Sequence, residues 1–315
     1  MKKLSVTELR KTIKAAEAER LKIQQPFKPE DPKLQRSQHA SETLISKWMS
    51  GSGLNLDKLQ TLHKKRDAEL QRIAAKHKRE TQRLVPRTKN KLEIAVQGKA
   101  LAELAARQDF FPNPSFNLDT PFLIWSTPLL SVDSSAAPFS SWAKFRFLTS
   151  DSLGIQKVSF YFYWNNPYSD YAVISAYTYL SAAGYLRAHA PWSVLVNTST
   201  VRAWAWFGLW FGVSKDLNPA NYVTNYLGVA GAYGSLVTGP DVSSSTVSAG
   251  TGLSYPMFAV PPGNVAVFEV ALAVEYNNSG GNIEADFANG NFQIACPVVV
   301  FSLLNSPAGK SSNLG

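Results

Sequence analysis

A change in the spacing of apolar residues constrains this fold more than any other feature of the sequence. From residue 116 onward, apolar and polar side chains alternate, and Gly, Pro, Asn and Ser recur between the alternating runs. That pattern is typical of an all-β domain. It is clearest in residues 265–276, where one face of the strand would be apolar and the other would carry Glu269 and Glu275. We therefore expect sheets with one buried and one solvated face.

About ten segments have strand character. Six are well patterned: 144–150, 157–164, 172–180, 200–213, 263–276 and 291–304. Four are weaker: 122–125, 192–196, 221–227 and 234–239. No helical pattern separates them, which favours an antiparallel sandwich or jelly roll over a parallel α/β sheet. The sequence predicts this β-sandwich head over residues 111–305, with a flexible tail over 306–315.

The first 110 residues have a helical spacing of apolar positions and a helix-forming composition. Helices are predicted over 6–25, 41–49, 56–84 and 89–108. Ser5 and Glu8 form the capping-box pattern of a helix start. A linker is expected near 26–34 and a flexible joint at 51–53. The fold class is thus α+β, with a coiled-coil or helical-hairpin-like region of residues 1–110 acting as a stalk or anchor before the sandwich.

Charge divides the chain at the same place. Residues 1–110 hold 25 of the 32 Lys and Arg and 13 of the 23 acids, so their net charge is +12, while the remainder carries −3. Such asymmetry indicates an acidic partner for the basic part. Nucleic acid, a membrane surface and another protein all meet that description.

The sharpest candidate site is an aromatic strand at 201–211. Period-two spacing puts Trp204, Trp206 and Trp210 on one face together with Arg202. Indole and guanidinium groups stack on sugars, bases and one another, so this face could bind a ligand. It could equally form a second wall of the core, because three exposed indoles on one strand need something to cover them.

A second aromatic cluster lies around 160–171. Tyr161 and Tyr163 precede a turn that contains Asp170. Tyrosine beside Asn and Asp is the chemistry of glycan or protein recognition. The same residues also suit an ordinary tight turn with solvated tyrosines.

The predicted helix 56–84 is the best nucleic-acid candidate, because basic side chains on a helix can neutralise phosphates. The acidic residues between the basic ones reduce the positive potential of this helix, and the helix has no Phe, Tyr or Trp on which a base could stack. A solvated, ion-paired helix is therefore the favoured interpretation. The basic residues concerned are Lys64, Lys65, Arg66, Arg72, Lys76, Lys78, Arg79 and Arg83.

Catalytic and metal-binding signatures are weak. No nucleophile elbow or phosphate-binding loop occurs, and the β region holds one histidine, His189. Glu275, Glu284 and Asp286 could offer oxygen ligands, but their spacing matches no calcium loop. The single cysteine, Cys296, is expected to be a buried thiol. We expect no enzyme activity, no cofactor and no metal. Because no apolar run follows Lys2 and Lys3, we expect no signal peptide and therefore synthesis in the cytosol, with release or particle association left open.

Three functions remain. The preferred one is a homo-oligomeric binding protein, laid out like a spike, fibre or lectin, whose head recognises a surface glycan or protein receptor. The second is a shell or capsid-type protein with basic helices facing nucleic acid. The third is a membrane-active, pore-forming protein in which residues 172–190 rearrange into an amphipathic hairpin.

Overall fold

The computed structural model describes residues 5–24, 32–51, 53, 55–84, 115–150, 153–211 and 218–305. The helices are α1 (Val6–Gln24), α2 (Pro32–Gly51) and α3 (Leu56–Leu84). The strands are β1 (Ser115–Leu118), β2 (Leu123–Ser126), β3 (Ser131–Ser135), β4 (Trp142–Thr149), β5 (Leu153–Asn165), β6 (Ala172–Ala190), β7 (Asn197–Phe211), β8 (Asn218–Gly234), β9 (Asp241–Val260), β10 (Val265–Asn278), β11 (Asn282–Asp286), β12 (Gln293–Ala295) and β13 (Val299–Leu303).

The strands form two antiparallel sheets, which confirms the predicted β-sandwich. Sheet B has the order β2-β5-β10-β7-β8. Sheet A is built on the long strand β6, with β9 along one edge and β13, β12 and β11 in succession along the other. Beyond these, β4 pairs with β11 and β12, β3 with β4, and β1 with β13. The main strands therefore lie as β4-β11/β12-β6-β9 and β5-β10-β7-β8, the order of a double-Greek-key jelly roll.

The alternation read from the sequence sets which side chains enter the core between the sheets. On β10 the even-numbered residues from Phe268 to Tyr276 are buried in that core, and on β7 Ala203, Ala205 and Phe207 are buried. Phe268 stacks on Phe207 and on Phe301 of the opposite sheet, at ring-centroid distances of 6.2 and 5.9 Å. These faces are the predicted ones, and they leave the opposite residues of each strand on the outer faces.

Helices cover part of each outer face. α1 starts with the predicted capping box, in which the Glu8 amide donates to Ser5 Oγ at 3.2 Å. Its Leu9 and Ile13 are buried against sheet B. α3 lies on sheet A, where Tyr185 of β6 donates to the Ala74 carbonyl at 3.1 Å. α1 and α3 therefore lie along the outer faces of the sandwich.

The helical predictions are confirmed for α1 and α3 within one residue. α2 is longer than expected: it begins at Pro32, inside the predicted linker 26–34, because the fixed φ of proline suits a first helical position. At the predicted joint, Gly53 has φ +85°. A coiled coil is not confirmed, since α1 is short and packs on a sheet. The predicted helix 89–108, the boundary at residue 110 and the tail 306–315 lie outside the described residues.

Several strand predictions need correction. Residues 192–196 form a loop after Pro191, and 234–239 span the end of β8 and the turn before β9, where Gly239 has φ +75°. The predicted strand 291–304 is divided at Pro297 into β12 and β13, because proline removes a ladder donor. β9 was missed, since its Ser, Gly and Thr content hides the alternation of an edge strand.

Candidate functional site

The outer face of sheet B brings the aromatic residues together. On β7 it carries Arg202, Trp204, Trp206 and Trp210, as the sequence predicted, and on β10 it carries Glu269 and Glu275. Two alanines, Ala271 and Ala273, lie between these acids, opposite Trp206 and Trp204. The face therefore has aromatic side chains beside a row of small ones, and its two ends differ in what covers them.

At one end α1 covers the face completely. Trp210 and Tyr161 are fully buried there, with their rings edge to face at 5.9 Å. Glu269 is also fully buried, although the sequence placed it on a solvated side. For these residues the covering element is the protein's own first helix, so Trp210 and Tyr161, which the sequence proposed as ligand-binding residues, offer no exposed surface in this structure.

A buried ionic network fastens α1 to this end. The ammonium group of Lys157 lies 2.6 Å from both Glu17 of α1 and Glu269 of β10, and Lys157 is only 2% exposed. Glu269 also accepts hydrogen bonds from Ser159, from the indole of Trp210 and from Tyr222, all at 2.7 Å. Tyr161 donates to Glu17. Glu269 is thus fully compensated by a cation and three further donors, whereas Glu17 meets Lys157 and Tyr161 through Oε1 and its buried Oε2 has no hydrogen-bond partner.

The two carboxyl groups differ in their electrostatics. Burial raises the pKa of Glu17, and the neighbouring Glu269 raises it further. For Glu269, burial acts in the same direction, but the Lys157 ammonium and the hydrogen bonds outweigh it and hold the pKa at about 2. Burial next to these acids raises the pKa values of Tyr161 and Tyr222. At neutral pH Glu269 is thus the fixed anion around which the other groups are arranged.

The ring of Tyr222 reaches this network across a glycine. Gly208 lies on the outer face of β7, and a Cβ atom there would fall 2.5 Å from the Tyr222 ring. The absent side chain lets Tyr222 of β8 extend over β7 to Glu269. Arg20 of α1 then caps the ring, with its guanidinium carbon 4.8 Å from the centroid. A glycine in a strand interior here marks a close approach.

The other end of the face is open and forms a cleft of about 350 Å³, which we call the outer cleft. Three adjacent strands line it, namely β5, β10 and β7. Its walls are Leu153, Gly154, Ile155, Thr200, Arg202, Glu275, Tyr276 and Asn277. Arg202 is exposed and lies directly across from Glu275 on the neighbouring strand. The cleft thus combines apolar walls with a guanidinium, a carboxylate, a hydroxyl and an amide.

Trp204 borders the outer cleft. It packs over Ala273, and its indole nitrogen donates to the carboxylate of Glu275 at 3.0 Å. Tyr226 of β8, itself half exposed, meets the Trp204 ring edge on at 5.3 Å. Trp204 remains half-buried, so part of the indole reaches solvent. Trp206, at 8% exposure, is packed against Tyr222 instead and offers little surface.

The predicted binding residues therefore occupy separate places. Arg202 and Trp204 lie at the open end, and Tyr163 packs edge on against Phe122 at the covered end, at 5.2 Å. Asp170 is exposed in the turn after β5, where its side chain accepts from the Tyr171 amide. β5 and β7 run in the same direction, so Asp170 lies beyond the end of the sheet opposite Arg202, at least about 26 Å away at strand rise. One site cannot include both.

The turn containing Asp170 has a structural explanation. The Asn166 side chain donates to the carbonyl of Asp170 and to those of Val260 and Pro261, at 2.9–3.1 Å. Its Oδ1 accepts the Tyr168 amide at 3.0 Å. These bonds hold the turn in shape, which agrees with the tight-turn interpretation.

The basic residues of α3 divide into two groups. Lys78 bridges Glu284 and the fully buried Asp286, at 2.7 Å from the former, and Arg66 donates to the Thr238 carbonyl at 2.7 Å. The remaining six predicted residues are exposed: Lys64, Lys65, Arg72, Lys76, Arg79 and Arg83. Lys78 is consequently a structural cation rather than a free one.

The acids considered as calcium ligands are used otherwise. Glu284 and Asp286 are paired with Lys78, Arg146 and Arg187, while Glu275 is on the other sheet. No group of three metal-ligating side chains occurs in the part of the chain described. Cys296 is buried, as expected. No helix in the described ranges has the length and apolar character needed to cross a membrane.

Comparisons with known proteins place little constraint on function. No family model and no curated protein matches the sequence. Among solved structures, the chain is similar to the enzymatically active domain of bacteriophage CBA120 tailspike protein 4, with 11% identity and a TM-score of 0.23 over 60% of this chain and 19% of that chain. It is also similar to TmCBM61 in complex with β-1,4-galactotriose, with 9% identity and a TM-score of 0.22 over 57% of this chain and 87% of that chain. A third similar structure is TmCBM27, a carbohydrate-binding module that recognises mannan, with 8% identity and a TM-score of 0.23 over 60% of this chain and 96% of that chain. With TM-scores this low, none of these similarities carries an argument about this chain.

Proposed function

We propose that this chain is a non-enzymatic carbohydrate-binding protein and that the outer cleft is its binding site. The observation that supports this most is the fixed pair of Trp204 and Glu275 beside the exposed Arg202. An indole supplies a flat apolar surface for the faces of a sugar ring. A carboxylate and a guanidinium supply an acceptor and donors for its hydroxyl groups.

The arrangement is suited to recognition because much of it is held in place before a ligand arrives. The Trp204–Glu275 hydrogen bond orients both side chains, and the strands beneath them are in the centre of sheet B. Such preorganisation lowers the entropy lost on binding. Thr200 and Asn277 add further hydrogen-bonding groups at the rim.

The position of α1 sets the expected size of the ligand. The helix covers the far end of the face, so an oligosaccharide cannot run along the whole length of the strands while α1 is docked. A cleft of about 350 Å³ holds one or two sugar units. We therefore expect recognition of a terminal mono- or disaccharide rather than the interior of a long polymer.

A glycan array tests this function. We expect the full-length protein to bind a limited set of terminal sugars. Trp204→Ala and Arg202→Ala should each weaken that binding at least about tenfold, equal to about 1.4 kcal/mol. The matched control is Trp48→Ala, because Trp48 is 75% exposed on α2 and is not among the residues that line the cleft. No glycan binding, or equal loss in the control, would refute the proposal.

Oligomerisation, a protein receptor in place of a glycan, and release or particle association after synthesis in the cytosol stay predictions. The same holds for the shell-protein and membrane-active alternatives. Residues 172–190, which the last alternative requires to rearrange, form the central strand β6 of sheet A. Light scattering of the full chain gives its mass and tests the homo-oligomer directly.

A further inference from the structure

The outward face of α3 carries a row of basic side chains. An α-helix turns by about 100° per residue, so, viewed down the axis, six of these side chains lie within an arc of about 60°. All six are exposed. We call them the basic row: Lys58, Lys65, Arg72, Lys76, Arg79 and Arg83. From first to last the row spans about 38 Å at helical rise.

Contacts on the inward face hold α3 in one orientation. His77 forms a hydrogen bond with Ser244 of sheet A at 2.8 Å, and Lys78 donates one to Glu284 of the same sheet at 2.7 Å. Nearer the start of the helix, Asp67 bonds His189 at 2.8 Å. Because these bonds occur over three turns, the helix cannot roll to bury the basic row. The basic row is therefore held on the outside of the protein, at the spacing that the helix sets.

Acidic side chains offset only part of this charge. Glu69 lies 3.8 Å from Arg72 and Glu80 lies 3.8 Å from Lys76, and all four side chains are more than half exposed. Surface pairs of this kind contribute little and are readily replaced. Subtracting these two acids leaves the row a net charge of +4, and the buried acids of sheet A are already paired with Lys78, Arg146 and Arg187.

The geometry favours a nucleic-acid duplex over the other polyanions. A row of about 38 Å matches about 11 base pairs at 3.4 Å per pair. α3 has no aromatic residue on which an unpaired base could stack, so contact would be with phosphates alone. Insertion of α3 into a membrane interface would need a continuous apolar face, but the large exposed apolar side chains described on α3, Leu62 and Ile73, are eleven residues apart.

We infer that the basic row of α3 binds the phosphate backbone of double-stranded nucleic acid without sequence preference. This surface lies on sheet A, on the other side of the sandwich from the outer cleft. The inference does not depend on carbohydrate binding, and the protein would have two independent binding surfaces.

The test is fluorescence anisotropy of a labelled 20-base-pair DNA duplex with the full-length protein. Four phosphate contacts predict a slope of about −3.6 in a plot of log affinity against log salt, so affinity should fall about 150-fold between 50 and 200 mM salt. The triple variant Lys65→Gln, Arg79→Gln and Arg83→Gln should bind at least about 100-fold more weakly at 50 mM and reduce the slope to about −1.

Two controls make the result specific. Lys11→Gln with Lys14→Gln removes two exposed lysines from α1 and should leave binding within about twofold of the wild type. Arg79→Lys with Arg83→Lys keeps the charge and should also bind. All of these side chains are exposed, so thermal unfolding should be unchanged.

Three results would overturn the inference. One is the absence of duplex binding at 50 mM salt. Another is equal binding by the wild type and the triple Gln variant. The third is binding to phosphatidylserine vesicles but not to the duplex, which would assign the row to a membrane.

Discussion

Replacing Lys157 with methionine tests the buried network that fastens α1 to sheet B. The ammonium group lies 2.6 Å from one oxygen of Glu17 and 2.6 Å from one oxygen of Glu269, so these two oxygens are within about 5 Å of each other. Without the cation, two buried unit charges at that distance repel by about 3 kcal/mol at an effective dielectric constant of 20. Breaking a buried ion pair commonly costs about 3–5 kcal/mol. We expect a loss of that size in the free energy of unfolding at pH 7.

The loss should depend on pH, because Glu17 can escape the repulsion by taking up a proton. The pKa of Glu17 is raised in the folded wild type. Glu17 therefore contributes to the stability of the fold below about pH 4.5, and this contribution is lost as the pH rises through its folded-state pKa. The pKa of Glu269 is lowered to about 2. Its contribution to the stability of the fold is therefore present above about pH 4.5 and is lost as the pH falls toward 2. Removing Lys157 raises both pKa values. The difference between variant and wild type should therefore shrink between pH 8 and pH 5.

Urea unfolding followed by tryptophan fluorescence measures this loss. Hydrogen exchange of α1, measured in parallel, detects release of the helix without unfolding of the sandwich. The double variant Lys157→Met with Glu17→Gln removes one of the opposed charges and should be more stable than Lys157→Met alone. Lys144→Met, at a partly exposed site, is the control. A loss below about 1 kcal/mol, or a loss that does not diminish at pH 5, would refute the role given to Lys157.

Three further outcomes are expected. Gly208→Ala should destabilise the fold by about 1–3 kcal/mol in thermal unfolding, because its Cβ would displace the Tyr222 ring from Glu269; stability equal to the wild type would argue against that packing. Lys78→Met should increase hydrogen exchange along α3 and lower stability by about 1–3 kcal/mol, as the buried acids beneath it lose one of their cations; unchanged exchange would mean that other contacts hold the helix. Burial raises the pKa of Cys296 to about 12, so its thiol should not react with iodoacetamide at pH 8 until the protein unfolds; rapid labelling of the native protein would contradict this.

The sequence predicted the fold well where local patterns are strong. Alternation assigned the inward and outward side chains of residues 202–210 on β7 and 268–276 on β10 correctly, since a two-residue period leaves only two choices. The capping box located the start of α1. The sequence could not place α1 on sheet B or α3 on sheet A, because a helical pattern shows which face is apolar and not what it contacts. The 19-residue β6 was predicted at half its length for a related reason, as its Ala and Gly residues resemble a loop.

The candidate site was predicted only in part. Trp204 and Arg202 were named because indole and guanidinium groups stand out, and they do lie together. Glu17 and Lys157 were missed, since a lone acid in a charged helix and a lone lysine in a strand have no distinguishing local signal. One clue was available: Lys157 and Glu269 are charges on the outer faces of strands rich in aromatic residues. A buried charge needs a partner of opposite charge, and for Lys157 one of the two partners, Glu17, comes from a segment 140 residues away.

Hydrogen–deuterium exchange with and without a bound sugar tests whether the outer cleft is the binding site, because it locates the ligand on the sandwich. With the best ligand from the glycan array, we expect protection concentrated in the three strand segments around the outer cleft, residues 153–155, 200–204 and 275–277. Protection confined instead to the turn containing Asp170 or to the helices would contradict it and would place the binding site elsewhere.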